Sequence, residues 1–221
     1  VVIGYLLSPD VLGIYHFGKQ MLEKLRILLT NSFSKVLLPV FSKLKHERGR
    51  LSSAYFSISK YIAYLAFPLF LGISMTANEF VIVIFGEQWE ESIIVFQVFS
   101  ITMIFLLLTA NVSSSLLNAL NRPGLVFKIS LTASIIYFVL LALFASNGLI
   151  AILITYSVYI LILTGLLQYY SVTYTNNQFS GYVSLLIRPG AYSLIMGMGI
   201  WGLRSLLLPY QSDVMVLLLS I

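Results

Sequence analysis

Residues 149–170 read LIAILITYSVYILILTGLLQYY and contain no charged side chain. A helix that crosses the hydrocarbon core of a bilayer needs about 20 mostly apolar residues, and this stretch satisfies that length. The whole chain has the same character, because 59% of its 221 residues are hydrophobic and only 10% are charged. A soluble domain needs more polar residues to cover its surface. The sequence therefore predicts an all-α membrane protein, folded as a multi-helix transmembrane bundle.

Similar apolar segments lie on both sides of this one, separated by turn-forming residues such as those of NRPG and SNG. The segments predict transmembrane helices over 11–38, 53–77, 93–120, 125–145, 149–170 and 189–208, with the end of a helix at 1–7 and a truncated helix at 214–221. We thus predict a single transmembrane domain over 1–221, with six whole and two partial helices. Because the chain starts without Met and ends in an apolar run, we expect it to be one lobe of a larger protein.

The charged residues predict the orientation of the bundle. Basic residues concentrate in the segments 43–50, 121–128 and 171–188, which alternate along the chain with segments that hold most of the acids. Since basic loops of membrane proteins face the cytoplasm, we expect these three segments to be cytoplasmic. The same rule accounts for the net charge of +5 without a nucleic-acid partner. The chain has no cysteine, no nucleotide-binding or metalloprotease motif and no loop long enough for an enzyme domain, so we expect no cofactor and no metal.

The segment His16–Lys35, HFGKQMLEKLRILLTNSFSK, is unusual because it is long enough to cross a bilayer and carries several charges. At about 100° per residue, Glu23 and Arg26 fall within about 40° of Lys19, so the three share one stripe of the helix. The polar residues at the border of the stripe include His16 and Gln20. Glu23 can pair with Lys19 or with Arg26 but cannot neutralise both. The stripe therefore keeps a positive surplus, which suits an anion in a water-filled interior.

Two structural alternatives remain open for these charges. Lys19 and Arg26 could pair with carboxylates of other helices, or the segment could begin with an interfacial amphipathic turn. A second and milder polar face runs through 93–120 and includes Asn111 and Asn118, which suit either helix packing or contact with sugar hydroxyls. The many tyrosines suit either stacking on sugars or an aromatic belt at the membrane interface, and we expect the belt for residues such as Tyr156, Tyr159, Tyr169 and Tyr170.

Four blocks follow in order along the sequence: SPDVLGIYHFGKQM (8–21), KVLLPVFSKLK (35–45), AFPLFLGISMTANEFVIVIFGEQWEES (66–92) and LLNALNRPG (116–124). Through these blocks the sequence resembles the polysaccharide-export branch of the multidrug/oligosaccharidyl-lipid/polysaccharide flippase superfamily, that is, the Wzx-like and teichuronic-acid-export-type proteins. The most specific parts are the helix exit LPVFSKL (38–44) and the turn FGEQW (85–89). The resemblance is clear over about residues 1–130.

The resemblance implies that residues 1–221 form the second lobe of a larger flippase, in which two six-helix lobes surround a central cavity in a bacterial cytoplasmic membrane. It implies a flippase, not an enzyme, that moves undecaprenyl-pyrophosphate-linked oligosaccharide repeat units outward by alternating access. The implied partners are this anionic lipid-linked substrate, membrane lipid and, as a candidate, the polysaccharide polymerase machinery. The family fixes no binding motif, so Lys19, Arg26 and Glu23 rest on the helical stripe alone. The alternatives are a multidrug or cation antiporter of the related branch, which would favour intramembrane acids such as Glu23, and a membrane sugar-polymer ligase or polymerase.

Overall fold

The computed structural model describes residues 8–207, apart from the side chains of residues 32, 34, 110, 111, 203 and 205–207. Every regular element in this range is helical: α1 Pro9–Leu44, α2 Arg48–Met75, α3 Ala77–Phe85, α4 Ile93–Leu108, α5 Ser114–Ala119, α6 Pro123–Phe144, α7 Leu149–Tyr174 and α8 Phe179–Leu207. Short 3-10 helices occupy Glu87–Ser92 and Ala145–Asn147, and a π-helical turn, Thr109–Ser113, joins α4 to α5. The helices predicted at 1–7 and 214–221 lie outside the described residues.

Five helical segments are long and apolar enough to cross a membrane: Arg48–Met75, Glu87–Leu108, Pro123–Asn147, Leu149–Tyr174 and Phe179–Gly202. The longer helix α1 is not among them, because its charged side chains lower its mean hydropathy. At about 1.5 Å per residue, α1 nevertheless exceeds the thickness of a hydrocarbon core. The all-α bundle predicted from the sequence is confirmed, and the chain is a multi-pass membrane protein.

The helix α4 forms the centre of the bundle. It packs against α1, α2 and α7, while α2 also packs along α8, and α6 and α7 form a hairpin. Apolar side chains of α4 are almost completely buried, among them Phe96, Phe99, Met103, Ile104 and Leu107. The outward faces of α6, α7 and α8 expose large apolar residues instead, as expected of helices that face lipid rather than water.

The segment 171–188, predicted as a polar connector, is mostly helical. The helix α7 continues to Tyr174 and α8 begins at Phe179, so the connection is only four residues long and Arg188 lies well inside α8. The polar residues fit a helix because their hydroxyls bond to its own backbone: Thr173 donates to the carbonyl of Tyr169 at 2.9 Å. The helix ends where Asn176 takes a positive φ of 58°.

Other predicted boundaries shift for related reasons. The helix predicted at 11–38 runs through Pro39 to Leu44, and the one predicted at 53–77 starts earlier, at Arg48, and runs through Pro68. Neighbouring helices and local adjustments let membrane helices tolerate an interior proline. The second helix ends at Met75, and Thr76 separates it from α3. The segment 93–120 is one continuous helical unit with a π turn inside it.

The connections of the bundle cluster at two ends. At one end, Lys45, Arg48, Arg122 and Tyr174 line a common depression, and Asn177 donates a hydrogen bond to Ser52. At the other end, Phe17 of α1 stacks on Trp89 with ring centroids 3.8 Å apart, so the turn FGEQW packs over α1. We name these the basic end and the Trp89 end. The three segments predicted to be cytoplasmic all have their connecting residues at the basic end.

Candidate functional site

Gly18 brings α1 close to the central helix. A Cβ atom at this position would lie 2.7 Å from Cγ1 of Val95 and 3.4 Å from Cδ2 of Phe96, closer than ordinary van der Waals contact. Small residues permit such close approaches between membrane helices. Because Lys19 is the next residue, this contact fixes where the charged stripe lies relative to α4.

Arg26 and Glu23 form a two-point ion pair on the stripe. The Nε atom of Arg26 donates to Oε2 of Glu23 at 3.0 Å, and the Nη2 atom donates to the other carboxylate oxygen. A third donor, Nη1 of Arg26, reaches Oγ1 of Thr30 at 3.3 Å. The Arg26 side chain is only 12% exposed, while that of Glu23 is 32% exposed. The planar guanidinium is thus largely occupied by partners on its own helix.

Lys19 has a different environment. Its ammonium lies 4.8 Å from the ring centroid of Tyr156 on α7 and 5.6 Å from that of Tyr15 on α1. Both distances are within the range of cation–π attraction. Within residues 8–207, no carboxylate pairs with Lys19. Glu23 therefore neutralises Arg26, and the positive surplus of the stripe resides on Lys19.

The rings beneath Lys19 belong to an aromatic cluster made by four helices. Tyr15 and Tyr156 both contact Phe99 of α4, with centroids 5.6 and 4.8 Å apart. Tyr137 of α6 lies 6.1 Å from Tyr156 and 5.0 Å from Tyr159. Tyr15 and Tyr156 are buried, at 1% and 8% exposure. We call Tyr15, Tyr137, Tyr156 and Tyr159 the tyrosine cluster.

The interfacial belt expected for Tyr156 and Tyr159 is wrong. Both residues pack inward in the tyrosine cluster rather than facing a membrane interface. The sequence contained no signal for this arrangement, because Tyr137, Tyr156 and Tyr15 come from three different helices and meet only through tertiary packing. Their spacing along each helix is compatible with either role.

Of the other predicted site residues, His16 contacts the tyrosine cluster, because its ring lies edge-on to that of Tyr15 with centroids 5.6 Å apart. His16 and Gln20 are exposed on α1. Asn118 is exposed on α5. Measured along the helix axis, it lies about 28 Å from Phe99, the residue of α4 that contacts Tyr15. Asn111 lies in the π turn, and its side chain is outside the described part of the structure.

Polar side chains near the π turn make buried contacts between helices. The hydroxyl of Tyr55 on α2 and that of Ser113 are 3.1 Å apart, and Ser171 of α7 donates to the Ser113 carbonyl at 3.4 Å. Gln168 donates to Oγ1 of Thr109, also at 3.4 Å. These contacts match the packing role that polar and small residues have in membrane helices.

The arrangement presents one half-buried ammonium above a set of aromatic rings with phenolic hydroxyls. The ammonium can donate three hydrogen bonds to a phosphoryl group. Tyrosine rings can stack on the apolar face of a sugar, while their hydroxyls exchange hydrogen bonds with it. Because Tyr15 and Tyr156 are buried, the half-buried Lys19, Tyr137 and Tyr159 are the members of this arrangement that remain partly exposed.

Known proteins are similar in sequence to parts of this chain. Residues 1–94 match the model of a family described as polysaccharide biosynthesis protein. The chain is 28% identical over 127 residues to the teichuronic acid biosynthesis protein TuaB of Bacillus subtilis, an alignment that covers 58% of this chain and 26% of TuaB. It is 26% identical over 137 residues to the lipopolysaccharide biosynthesis protein WzxC of Escherichia coli, covering 62% and 28% of the two chains. The chain is thus similar to polysaccharide biosynthesis proteins over parts of its length, with the family match limited to residues 1–94.

The resemblance of the chain to the polysaccharide-export branch of flippases is thereby confirmed over part of its length. Its alignments span about a quarter of the length of TuaB and WzxC. A membrane protein of Klebsiella pneumoniae, described as located in a cps region, is 28% identical over 88 residues, 40% of this chain and 18% of that protein. No solved structure matches the chain. The family match covers α1 with Lys19, Glu23 and Arg26, whereas Tyr137 and Tyr156 lie beyond it.

Proposed function

We propose that this chain forms one lobe of a flippase that translocates undecaprenyl-pyrophosphate-linked oligosaccharide repeat units across the bacterial cytoplasmic membrane by alternating access. The observation that carries the proposal is the position of Lys19. Its half-buried ammonium lies over two tyrosine rings, and no carboxylate of the described chain pairs with it. In membrane helices, charged residues without a structural partner mark substrate or ion pathways.

A flippase must lower the free energy of moving a polar head group through an apolar region. The pyrophosphate would otherwise leave water without replacement partners, which is strongly unfavourable. Lys19 can supply a charge-assisted hydrogen bond to the phosphoryl oxygens, and the half-buried Tyr137 and Tyr159 of the tyrosine cluster can contact the sugars. The polyprenyl tail stays in the lipid, so the bundle need not enclose it.

The proposed activity involves no covalent chemistry. Within residues 8–207, the long helices are joined at the Trp89 end by the short helix α3 and by the 3-10 helices Glu87–Ser92 and Ala145–Asn147. A ligase or polymerase would need a larger extracytoplasmic domain than these. The alternative of a drug or cation antiporter would favour Glu23 as an intramembrane acid, but Glu23 is occupied by Arg26. Both features favour the flippase.

The proposal is tested in a bacterium that lacks its own repeat-unit flippase. The full-length protein that contains this chain is expressed there, and surface polysaccharide is quantified together with lipid-linked repeat units in the membrane. We expect surface polymer to return and the lipid-linked intermediate to fall. If polymer stays absent although the protein is present in the membrane and the repeat unit is its native one, the proposed function is wrong.

A further inference from the structure

The basic end of the bundle contains two adjoining depressions that share Arg122 and Tyr174. One is also lined by Lys45 and Arg48, and the other by Asn121 and Lys128. Their volumes are about 240 and 350 Å³, many times the volume of about 30 Å³ that a water molecule occupies. Each depression is therefore large enough to receive a phosphate group. They lie at the end opposite Trp89, far from the tyrosine cluster.

The charges around the depressions are all positive. Lys45, Arg48, Arg122 and Lys128 contribute four cations, and no acidic residue lines either depression. The acid nearest in sequence, Glu47, forms an exposed ion pair with Arg50, with Oε2 and Nη1 2.8 Å apart. Among the described residues, none of the four cations is paired with a carboxylate.

Two helix N-termini add to this positive potential. The helix α2 begins at Arg48 and α6 begins at Pro123, both beside the shared depressions. Acidic residues usually occupy the first turn of a helix, because they stabilise its positive dipole end. Neither first turn contains an acid, and neither N-cap side chain bonds to the backbone; the N-cap of α2 is Glu47, whose carboxylate pairs with Arg50 instead. The helix α2 thus leaves N–H groups of its first turn for an external anion, while α6 offers only that of Gly124, because Pro123 has no N–H and those of Leu125 and Val126 donate to the carbonyl of Arg122.

Arg122 is held in place by backbone and ring contacts. Its N–H donates to the carbonyl of Leu117 at 2.9 Å, and the preceding Asn121 takes a positive φ of 57° that completes the turn. The guanidinium lies 5.4 Å from the ring centroid of Tyr174. Stacking of this kind leaves the N–H edge of the guanidinium available, and that edge matches a phosphate oxygen pair.

We infer that these depressions bind the phosphate of an anionic phospholipid head group from the leaflet that the basic end faces. The bias of basic residues toward one side of a membrane requires only that they lie in its loops. That bias alone does not explain why residues from three separate connections line the same depressions. Nor does it explain why two helix N-termini lie beside them without a side-chain cap. A lipid phosphate is the anion that lies at the depth of a helix end in a bilayer. This site is independent of the translocation proposed for Lys19.

The test uses the full-length protein in detergent micelles, titrated with phosphatidylglycerol, with bound lipid counted by native mass spectrometry. The double variant Arg48→Gln with Arg122→Gln removes two lining charges. The matched control, Lys60→Gln with Arg188→Gln, removes two exposed charges that line neither depression. Each basic residue near a lipid surface contributes about 1 kcal/mol, so we expect the lining pair to weaken binding about thirtyfold and the control pair to leave it nearly unchanged.

A single variant, Lys128→Gln at an exposed position of α6, keeps the test decisive if the double variant fails to fold; we expect it to weaken binding about fivefold. Inorganic phosphate should not displace the lipid at equal concentration. The inference would be overturned by any of three results. Lipid affinity could fall equally in the lining and control pairs, it could stay unchanged in the double and single lining variants, or inorganic phosphate could displace the bound lipid. Phosphatidylcholine, whose head group has no net charge, should bind equally weakly to all variants.

Discussion

At the scale of single residues, Glu23 decides how the positive charges of α1 are divided. Its carboxylate binds Arg26 through two oxygens, and Thr30 accepts a further bond from the same guanidinium. Lys19, one turn earlier, contacts aromatic rings instead. An arginine with its donors filled stabilises the helix surface, whereas a lysine that lies over rings remains able to donate to a ligand. The two bases of the stripe therefore have different proposed roles.

We predict that Glu23→Gln destabilises the protein by about 1–2 kcal/mol, because the mostly buried guanidinium of Arg26 loses its charged acceptor. Thermal unfolding of the purified full-length protein measures the effect. Glu87→Gln, in an exposed turn, serves as the control and should leave the melting temperature unchanged. The double variant Glu23→Gln with Arg26→Gln should lose less than the sum of the two single variants. Strictly additive losses would contradict the pairing.

At the scale of elements, the close contact between α1 and α4 positions the stripe. Gly18 lies against Val95 and Phe96, and Phe17 stacks on Trp89 of the turn that precedes α4. The two contacts come from neighbouring residues and restrict the rotation of α1. Lys19 is thereby held at the level of Tyr156.

We predict that Gly18→Ala moves α1 away from α4 and destabilises the protein by about 1–3 kcal/mol, since the added methyl group has no space. Gly13→Ala on the same helix is the matched control, because nothing lies within 4 Å of its Cβ position. Alanine also favours a helix over glycine, so the control should be neutral or slightly stabilising. The melting temperatures of the two variants test this prediction. Equal melting temperatures would show that the close contact at Gly18 does not constrain α1.

The elements also show how far sequence reasoning reaches. The stripe of Lys19, Glu23 and Arg26 follows from helical periodicity, and the structure brings Glu23 and Arg26 together as that periodicity allows. The connector 171–188 was mistaken for a loop because polar residues such as Thr173 can satisfy their hydroxyls within a helix. The tyrosine cluster was missed because its members meet through packing between helices, which periodicity in one helix does not encode.

At the scale of the whole molecule, charge separates the two ends of the bundle. The basic end gathers Lys45, Arg48 and Arg122. Glu79 lies buried at the other end and pairs with Arg204 of α8, with Oε1 and Nε 2.9 Å apart. The three basic segments predicted from the sequence meet at one end of the bundle, and the side of the membrane that this end faces stays a prediction. The pairing of Glu79 with Arg204 joins residues far apart in the chain and could not be read from it.

Orientation can be measured directly, because the 221 residues contain no cysteine. We predict that a cysteine at Glu90, in the exposed turn at the Trp89 end, reacts with an impermeant maleimide added to spheroplasts. A cysteine at Glu47, at the basic end, should react only after the membrane is permeabilised. Both positions are exposed, so accessibility within the protein is matched. The reverse labelling pattern would contradict a cytoplasmic basic end.

The most direct test of the central claim compares Lys19→Gln with Lys24→Gln in the flippase-deficient strain, with surface polysaccharide measured at equal protein level. Lys24 is an exposed base on the same helix, off the stripe and outside the tyrosine cluster. If Lys19 binds the pyrophosphate, Lys19→Gln should reduce surface polymer at least about tenfold, Lys19→Arg should restore part of it, and Lys24→Gln should export normally. Normal export by a well-expressed Lys19→Gln protein would contradict the claim.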